Sequence, residues 1–211
     1  FLSAVILSCT ENDHKLPGSR PVIAVSIMPQ KYFLERIAGN RVTVLVLAAE
    51  GQNPHSYEPT PGQMTLLARA HAWVLAGVDF EISLKQKISL RYPSLILVDG
   101  TRGVRFRHLE EHYEDEQTGT AHKSDIDRHT WLGRQPVKIM AGHIRDILVS
   151  IDPEGKTVYD ANYDKFSAEI DTLFNEMKEI LKPHAGKKVF VFHPAFGYFL
   201  DEFGIEQVAV E

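Results

Sequence analysis

Val42-Thr-Val-Leu-Val-Leu-Ala48, then Gly51-Gln-Asn-Pro-His-Ser-Tyr-Glu-Pro-Thr-Pro61, then Gln63-Met-Thr-Leu-Leu-Ala-Arg-Ala70 are consecutive segments of one chain. The first is an apolar, β-branched run and reads as a buried strand. The second holds Pro54, Pro59, Pro61 and Gly51, which exclude a regular helix or a central strand. The third reads as a helix. His55 therefore sits on a stiff loop leaving the C-terminal end of a strand, the place where ligands bind in open α/β sheets. The prolines reduce the conformations that this loop must give up on ordering.

Working outward, the same alternation recurs. Pro21-Val-Ile-Ala-Val-Ser-Ile27 is a strand, and Pro29 opens a helix through Ala38 that Gly39-Asn40 ends. Phe33, Leu34, Ile37 and Ala38 form its apolar face. Ala72-Trp-Val-Leu-Ala76 is a short strand, followed by a helix to about Leu90. Pro93 breaks it before a fourth strand, Ser94-Leu-Ile-Leu-Val98. Strand and helix at this spacing mean right-handed βαβ units and a mostly parallel sheet.

From Asp99 to about Arg128 no apolar period runs. Residues 105–128 are dense in charge and carry His108, His112 and His122, so a long exposed loop is expected. Helical spacing resumes from Pro136 to Ser150. A second helical pattern from Glu154 to Lys182 is long enough to join two lobes, and Pro183 ends it. Lys187-Lys-Val-Phe-Val-Phe192 is a strand, residues 198–204 a helix, and Ile205 to Val210 a further apolar run. The fold expected is α/β, two βα lobes with mostly parallel sheets joined by one long rigid helix. The divisions are a start and tether over 1–20, a first lobe over 21–150, a linking helix over 151–185 and a second lobe from 186 to 211. With so few strands, that second lobe reads as truncated.

The chain has 211 residues, 44% of them hydrophobic, and a net charge of -5, so it lacks the basic footprint of a nucleic-acid binder. Its ten histidines are unusual and point toward cations. Cys9 is the one cysteine, which excludes an internal disulfide and a cysteine-based zinc site. It follows the apolar Phe1–Ser8 and precedes a polar tail, so Ile6-Leu-Ser-Cys9 resembles a lipobox with Cys9 as the lipidated residue. The apolar run is too short to span a bilayer.

His55, His129 and His193 each lie on a loop beside a helix start, next to proline or an aromatic residue. Imidazole is a favoured neutral ligand of Zn2+, and three imidazoles with one oxygen complete a tetrahedron. None of the short zinc signatures is present, so spacing alone is a weak signal. Glu58 and Asp127 are placed to orient His55 and His129 by accepting a ring N–H. His71, His143, Trp73 and Trp131 are read as structural.

Asn53-Pro-His-Ser-Tyr-Glu-Pro59, Asp127-Arg-His-Thr-Trp-Leu132 and Val191-Phe-His-Pro-Ala-Phe-Gly-Tyr-Phe199 together resemble the three metal-site segments of the cluster A-I solute-binding proteins. These are the zinc and manganese receptors of bacterial ABC importers. The resemblance runs from about residue 20 to 211. It implies metal bound between two lobes, with His55 and His129 supplied by the first and His193 by the second. Manganese members usually have glutamate at the third position. Histidine there fits Zn2+, with Mn2+ as the alternative. The fourth ligand is a carboxylate to which no residue of this chain can be matched. One departure is Asp127-Arg128-His129, where many members have Asp-Pro-His.

The expected protein is thus an extracytoplasmic zinc receptor, lipid-anchored or periplasmic. It is a monomer that delivers Zn2+ to an ABC permease and has no catalytic residue. Two rivals stand beside it. One is a manganese receptor or adhesin of the same fold. The other is a three-histidine zinc hydrolase with Glu58 as its base.

Overall fold

A computed structural model describes residues 20–54, 56–109 and 126–210. Cys9 with the apolar start and tether, His14, His55, His112 and His122 lie outside the described residues.

Strands β1 (Val22–Ile27), β2 (Thr43–Ala48), β3 (Ala72–Leu75) and β4 (Ile96–Asp99) form one sheet in the order β2-β1-β3-β4. All its pairings are parallel. The chain leaves β1 toward one side and crosses back to the other, so a switch point lies at the C-terminal ends of β1 and β3. Side-chain alternation divides the core in two. Ile23, Val25, Ala72 and Val74 face one cluster, whereas Ala24, Ile27, Trp73 and Leu75 face the other.

The helices cover these faces separately. α1 (Met28–Ala38) contributes Phe33, Leu34 and Ile37 to the first cluster. α2 (Pro61–Ala68) and α3 (Asp79–Arg91) contribute Leu67, Phe80, Leu84 and Ile88 to the second. The buried Gln30 amide satisfies backbone groups that the sheet leaves open. Its Oε1 accepts from the Ser26 N–H at 2.8 Å, and its Nε2 donates to the Val74 carbonyl at 3.3 Å.

The segment expected to be one exposed loop is pinned at both ends. β5 (Arg107–His108) pairs antiparallel with β6 (Ile126–Asp127), and Asp127 is fully buried. Two-residue strands have no period to detect, which is why residues dense in charge concealed them. α4 (Arg134–Ile151) follows and lays Val137, Met140, Ile144 and Leu148 on the first cluster.

A 3-10 turn at Pro153–Gly155 precedes α5 (Lys156–Leu181), so the long helix has 26 residues and spans roughly 39 Å at 1.5 Å per residue. Tyr159 and Phe166 lie in the first cluster. Phe174 lies in a separate small core with Leu200, Phe203 and Ile205, and Ile170 packs against both. One helix therefore serves two βα units. The second unit is β7 (Lys188–Val191), the short α6 (Gly197–Asp201) and β8 (Glu206–Ala209), with β7 and β8 parallel. α6 is shorter than the apolar spacing of 198–204 suggests: it ends at Asp201, and a turn carries the chain to Gly204, whose φ is 66°.

Candidate metal centre

The three flagged segments lie near sheet ends. The His55 loop leaves β2, and its flanks are braced. Thr60 and Gln63 form a reciprocal cap: the Gln63 N–H donates to Thr60 Oγ1 at 3.3 Å and the Thr60 N–H to Gln63 Oε1 at 2.9 Å. Gln63 Nε2 also donates to the Leu47 carbonyl at 3.0 Å, which ties the far end of the loop to β2. Tyr57 is buried with its ring 4.8 Å from that of Phe80. Glu58 is exposed to solvent.

The His129 segment is docked on the C-terminal edge of the sheet. Arg128 Nη1 donates to the Gly77 carbonyl at 2.8 Å, and its Nε pairs with Asp79 at 2.7 Å. Gly77 has φ 81°, a conformation that favours glycine, and it turns the chain out of β3. Arginine at 128 thus has a role of its own here, linking the histidine segment to the β3–α3 turn. The same turn is held from below. The Glu81 carboxylate accepts from the Ala76 and Gly77 N–H groups at 2.7 and 2.8 Å. Burial pushes its pKa up to about 7 against the hydrogen bonds from Ser26, Ala76 and Gly77.

Asp127 orients His129. Its Oδ1 accepts from the His129 backbone N–H at 3.0 Å and from Nδ1 at 2.9 Å, and its Oδ2 accepts from Arg107 Nη1 at 2.9 Å. Burial works to raise the Asp127 pKa, but the bonds from His129 and Arg107 outweigh it and hold the carboxyl below its usual range. An ionised Asp127 only accepts, so Nδ1 of a neutral His129 carries the proton and Nε2 keeps its lone pair.

That lone pair meets the second unit. His193 leaves the C-terminal end of β7, and its Nε2 lies 3.0 Å from Nε2 of His129, with the rings at 81°. Two nitrogens on a tetrahedral Zn2+ at 2.0–2.1 Å stand roughly 3.3 Å apart. A shift of a few tenths of an ångström would bring this pair to that spacing. Trp131 packs against both large clusters with its ring 5.2 Å from that of His129.

Residues 23–211 match the sequence profile described as ZnuA, zinc-uptake complex component A, periplasmic. The chain belongs to the ZnuA family. A crystal structure of ZnuA is 35% identical, with a TM-score of 0.79 over 92% of this chain and 71% of that one. A zinc-bound ZnuA carrying a deletion of its residues 138–173 is 34% identical, with a TM-score of 0.80 over 92% of this chain and 70% of that one. A putative metal-binding protein of Chlamydia trachomatis is 27% identical over all of this chain and 71% of its own length. The high-affinity zinc uptake system protein ZnuA of Yersinia pestis is 28% identical over 87% of this chain and 63% of its own length. The α/β architecture with a long connecting helix is that of the ZnuA family.

His129 and His193 are thus in contact, and His55 lies outside the described residues. Among the described residues no group of three or more His, Cys, Asp or Glu side chains is placed to hold a metal ion. His71 and His143 have structural bonds. His71 Nδ1 accepts from the Val22 N–H at 3.2 Å, and His143 Nε2 bonds to the Arg102 carbonyl at 2.8 Å. Trp73 is buried and donates to Ser26 Oγ at 2.9 Å. In the sequence Arg107 reads only as one charge of the long loop expected to be exposed. Its charge-dense surroundings gave no sign that it reaches Asp127, and only the β5–β6 pairing reveals it.

Proposed function

We propose that this chain is the zinc-capturing receptor of a bacterial ABC importer. His55, His129 and His193 ligate the ion, and Asp127 fixes the ring of His129. The observation that carries the reading is the approach of the two Nε2 atoms from different βα units to 3.0 Å, with the His129 tautomer set by Asp127. Family membership supports zinc uptake as the process. Nitrogen donors favour Zn2+ over Mn2+, which prefers carboxylate oxygen. Membership of a family named for zinc uptake supports a receptor that captures and releases an ion over a three-histidine hydrolase.

The remaining assignments belong to the same proposal. Residues 21–150 form the first lobe, 151–185 the linking helix, and 186–211 belong to the second lobe. Glu58 orients His55 by accepting a ring N–H. The protein works as an extracytoplasmic monomer, tethered through lipidated Cys9, and presents its ion to the permease.

Calorimetric titration tests the ligand set. The wild type should bind one Zn2+, and His129→Ala and His55→Ala should each weaken binding at least 100-fold. Competition should favour Zn2+ over Mn2+. Binding should fade below about pH 6.5, because imidazole must be neutral to ligate. Unchanged zinc affinity in the His55→Ala, His129→Ala double variant would overturn the reading, and a preference for Mn2+ would move the protein to the manganese receptors.

A further inference from the structure

We infer that Arg107 is a positioning residue that latches the two histidine-bearing segments together and so sets how fast zinc leaves. This rests on the proposal that His129 and His193 are ligands. The Arg107 guanidinium is shared between two carboxylates from different units. Nη1 donates to Oδ2 of the buried Asp127, the residue that holds His129. Nε and Nη2 donate to Oδ2 and Oδ1 of Asp201 at 2.5 and 3.2 Å, and Asp201 ends α6, the helix that follows His193. A planar fork can hold both carboxylates at once, whereas a lysine can serve only one as a point charge.

Three further features build this junction around the guanidinium. The Arg107 backbone N–H donates to Tyr198 Oη at 3.0 Å, and that hydroxyl donates to the Asp127 carbonyl at 2.9 Å. The Arg107 side chain lies over the Tyr198 ring, 5.9 Å from its centroid. Gly197 is the third. A Cβ added there would collide with the Arg107 guanidinium and stand 2.9 Å from Asp127 Oδ2. Glycine at 197 leaves room for the guanidinium where it stands, and any side chain there would have to displace it.

Without Arg107, Oδ2 of Asp127 would lose its charged partner inside the protein, and the unit carrying His193 would lose its ion-pair tie to the segment carrying His129, keeping the Tyr198 hydroxyl bond to the Asp127 carbonyl. Both losses loosen the convergence of the two Nε2 atoms. Supporting residues of this kind alter metal affinity by about 10- to 100-fold.

The test follows zinc release from the full chain into an excess of chromogenic chelator in a stopped-flow instrument. Arg107→Gln and Asp201→Asn should each speed release about tenfold or more. The double variant should be no faster than the quicker single one, because both remove the same latch. Arg107→Lys should resemble Asp201→Asn, keeping Asp127 paired but losing the fork. Wild-type release from Asp201→Asn, or effects that multiply in the double variant, would overturn the latch. Asp201 is half-exposed, so its variant tests the idea even where Arg107→Gln folds poorly. If the wild type takes up no zinc, the receptor reading fails instead. The latch is then judged by urea midpoints of the metal-free variants. Coupled losses for Arg107 and Asp201 support it, and independent ones overturn it.

Discussion

The two histidines in contact stand on unequal supports. His129 is buried on the C-terminal edge of a four-stranded sheet, with Asp127, Arg107 and Arg128 fixing its segment. His193 leaves a strand whose Val189 and Phe190 are exposed, just after Phe192, which is 90% exposed. The core beneath the first contains two large clusters. The core beneath the second has four buried residues, Phe174, Leu200, Phe203 and Ile205. Among the described residues, the first histidine thus has the better packed support.

The sharpest way to break this comparison is to cut each core equally. Phe166 on α5 is 1% exposed in the first cluster, and Phe166→Ala should destabilise the whole chain by about 3–5 kcal/mol. Phe203→Ala, in the small core, should leave the main denaturant transition nearly in place while the β7, α6 and β8 amides exchange faster. Native-state hydrogen exchange with urea titration reads both. Equal shifts of the main transition would mean that the two units unfold as one and that the supports are not unequal.

Acidity separates the units in a second way. Glu81 lies in the first unit, and its pKa is raised from an ordinary 4.5 to about 7. A carboxyl raised on folding contributes stability that is fully present below about 4.5 and is lost as pH rises through about 7. The effect is bounded at about 3 kcal/mol by the size of the shift. Unfolding midpoints between pH 4.5 and 8 should therefore show a falling component that Glu81→Gln removes. Exchange in the second unit should not follow it. A pH profile identical in wild type and Glu81→Gln would show that burial of this carboxyl has no such consequence.

These differences were only partly legible beforehand. Apolar period and proline punctuation located β1 to β4, α1 to α4 and the long helix to within a few residues, because each has enough residues to show a period. The β5–β6 pair failed that condition, and with it Arg107. The candidate histidines stood out through proline and aromatic neighbours and a family resemblance. The contact between His129 and His193 is a property of two sheet ends brought together by α5, and no local spacing encodes it. Asp127 was readable as a support because it sits two residues from its histidine. Asp201 was not, since it acts through a guanidinium 94 residues away in sequence.

The smallest effect is expected where the second unit is barest. Phe192 follows β7, is 90% exposed and precedes His193. Its ring gains little from burial, so Phe192→Ser should change stability by no more than about 0.5 kcal/mol. Ile27, the last residue of β1, is only 4% exposed, and Ile27→Ser should cost several-fold more, since it removes buried methylenes and buries a hydroxyl. Urea midpoints of the two variants measure the contrast directly. A cost above about 1 kcal/mol for Phe192→Ser would exceed what an exposed ring can supply. It would mean that the ring is covered in solution.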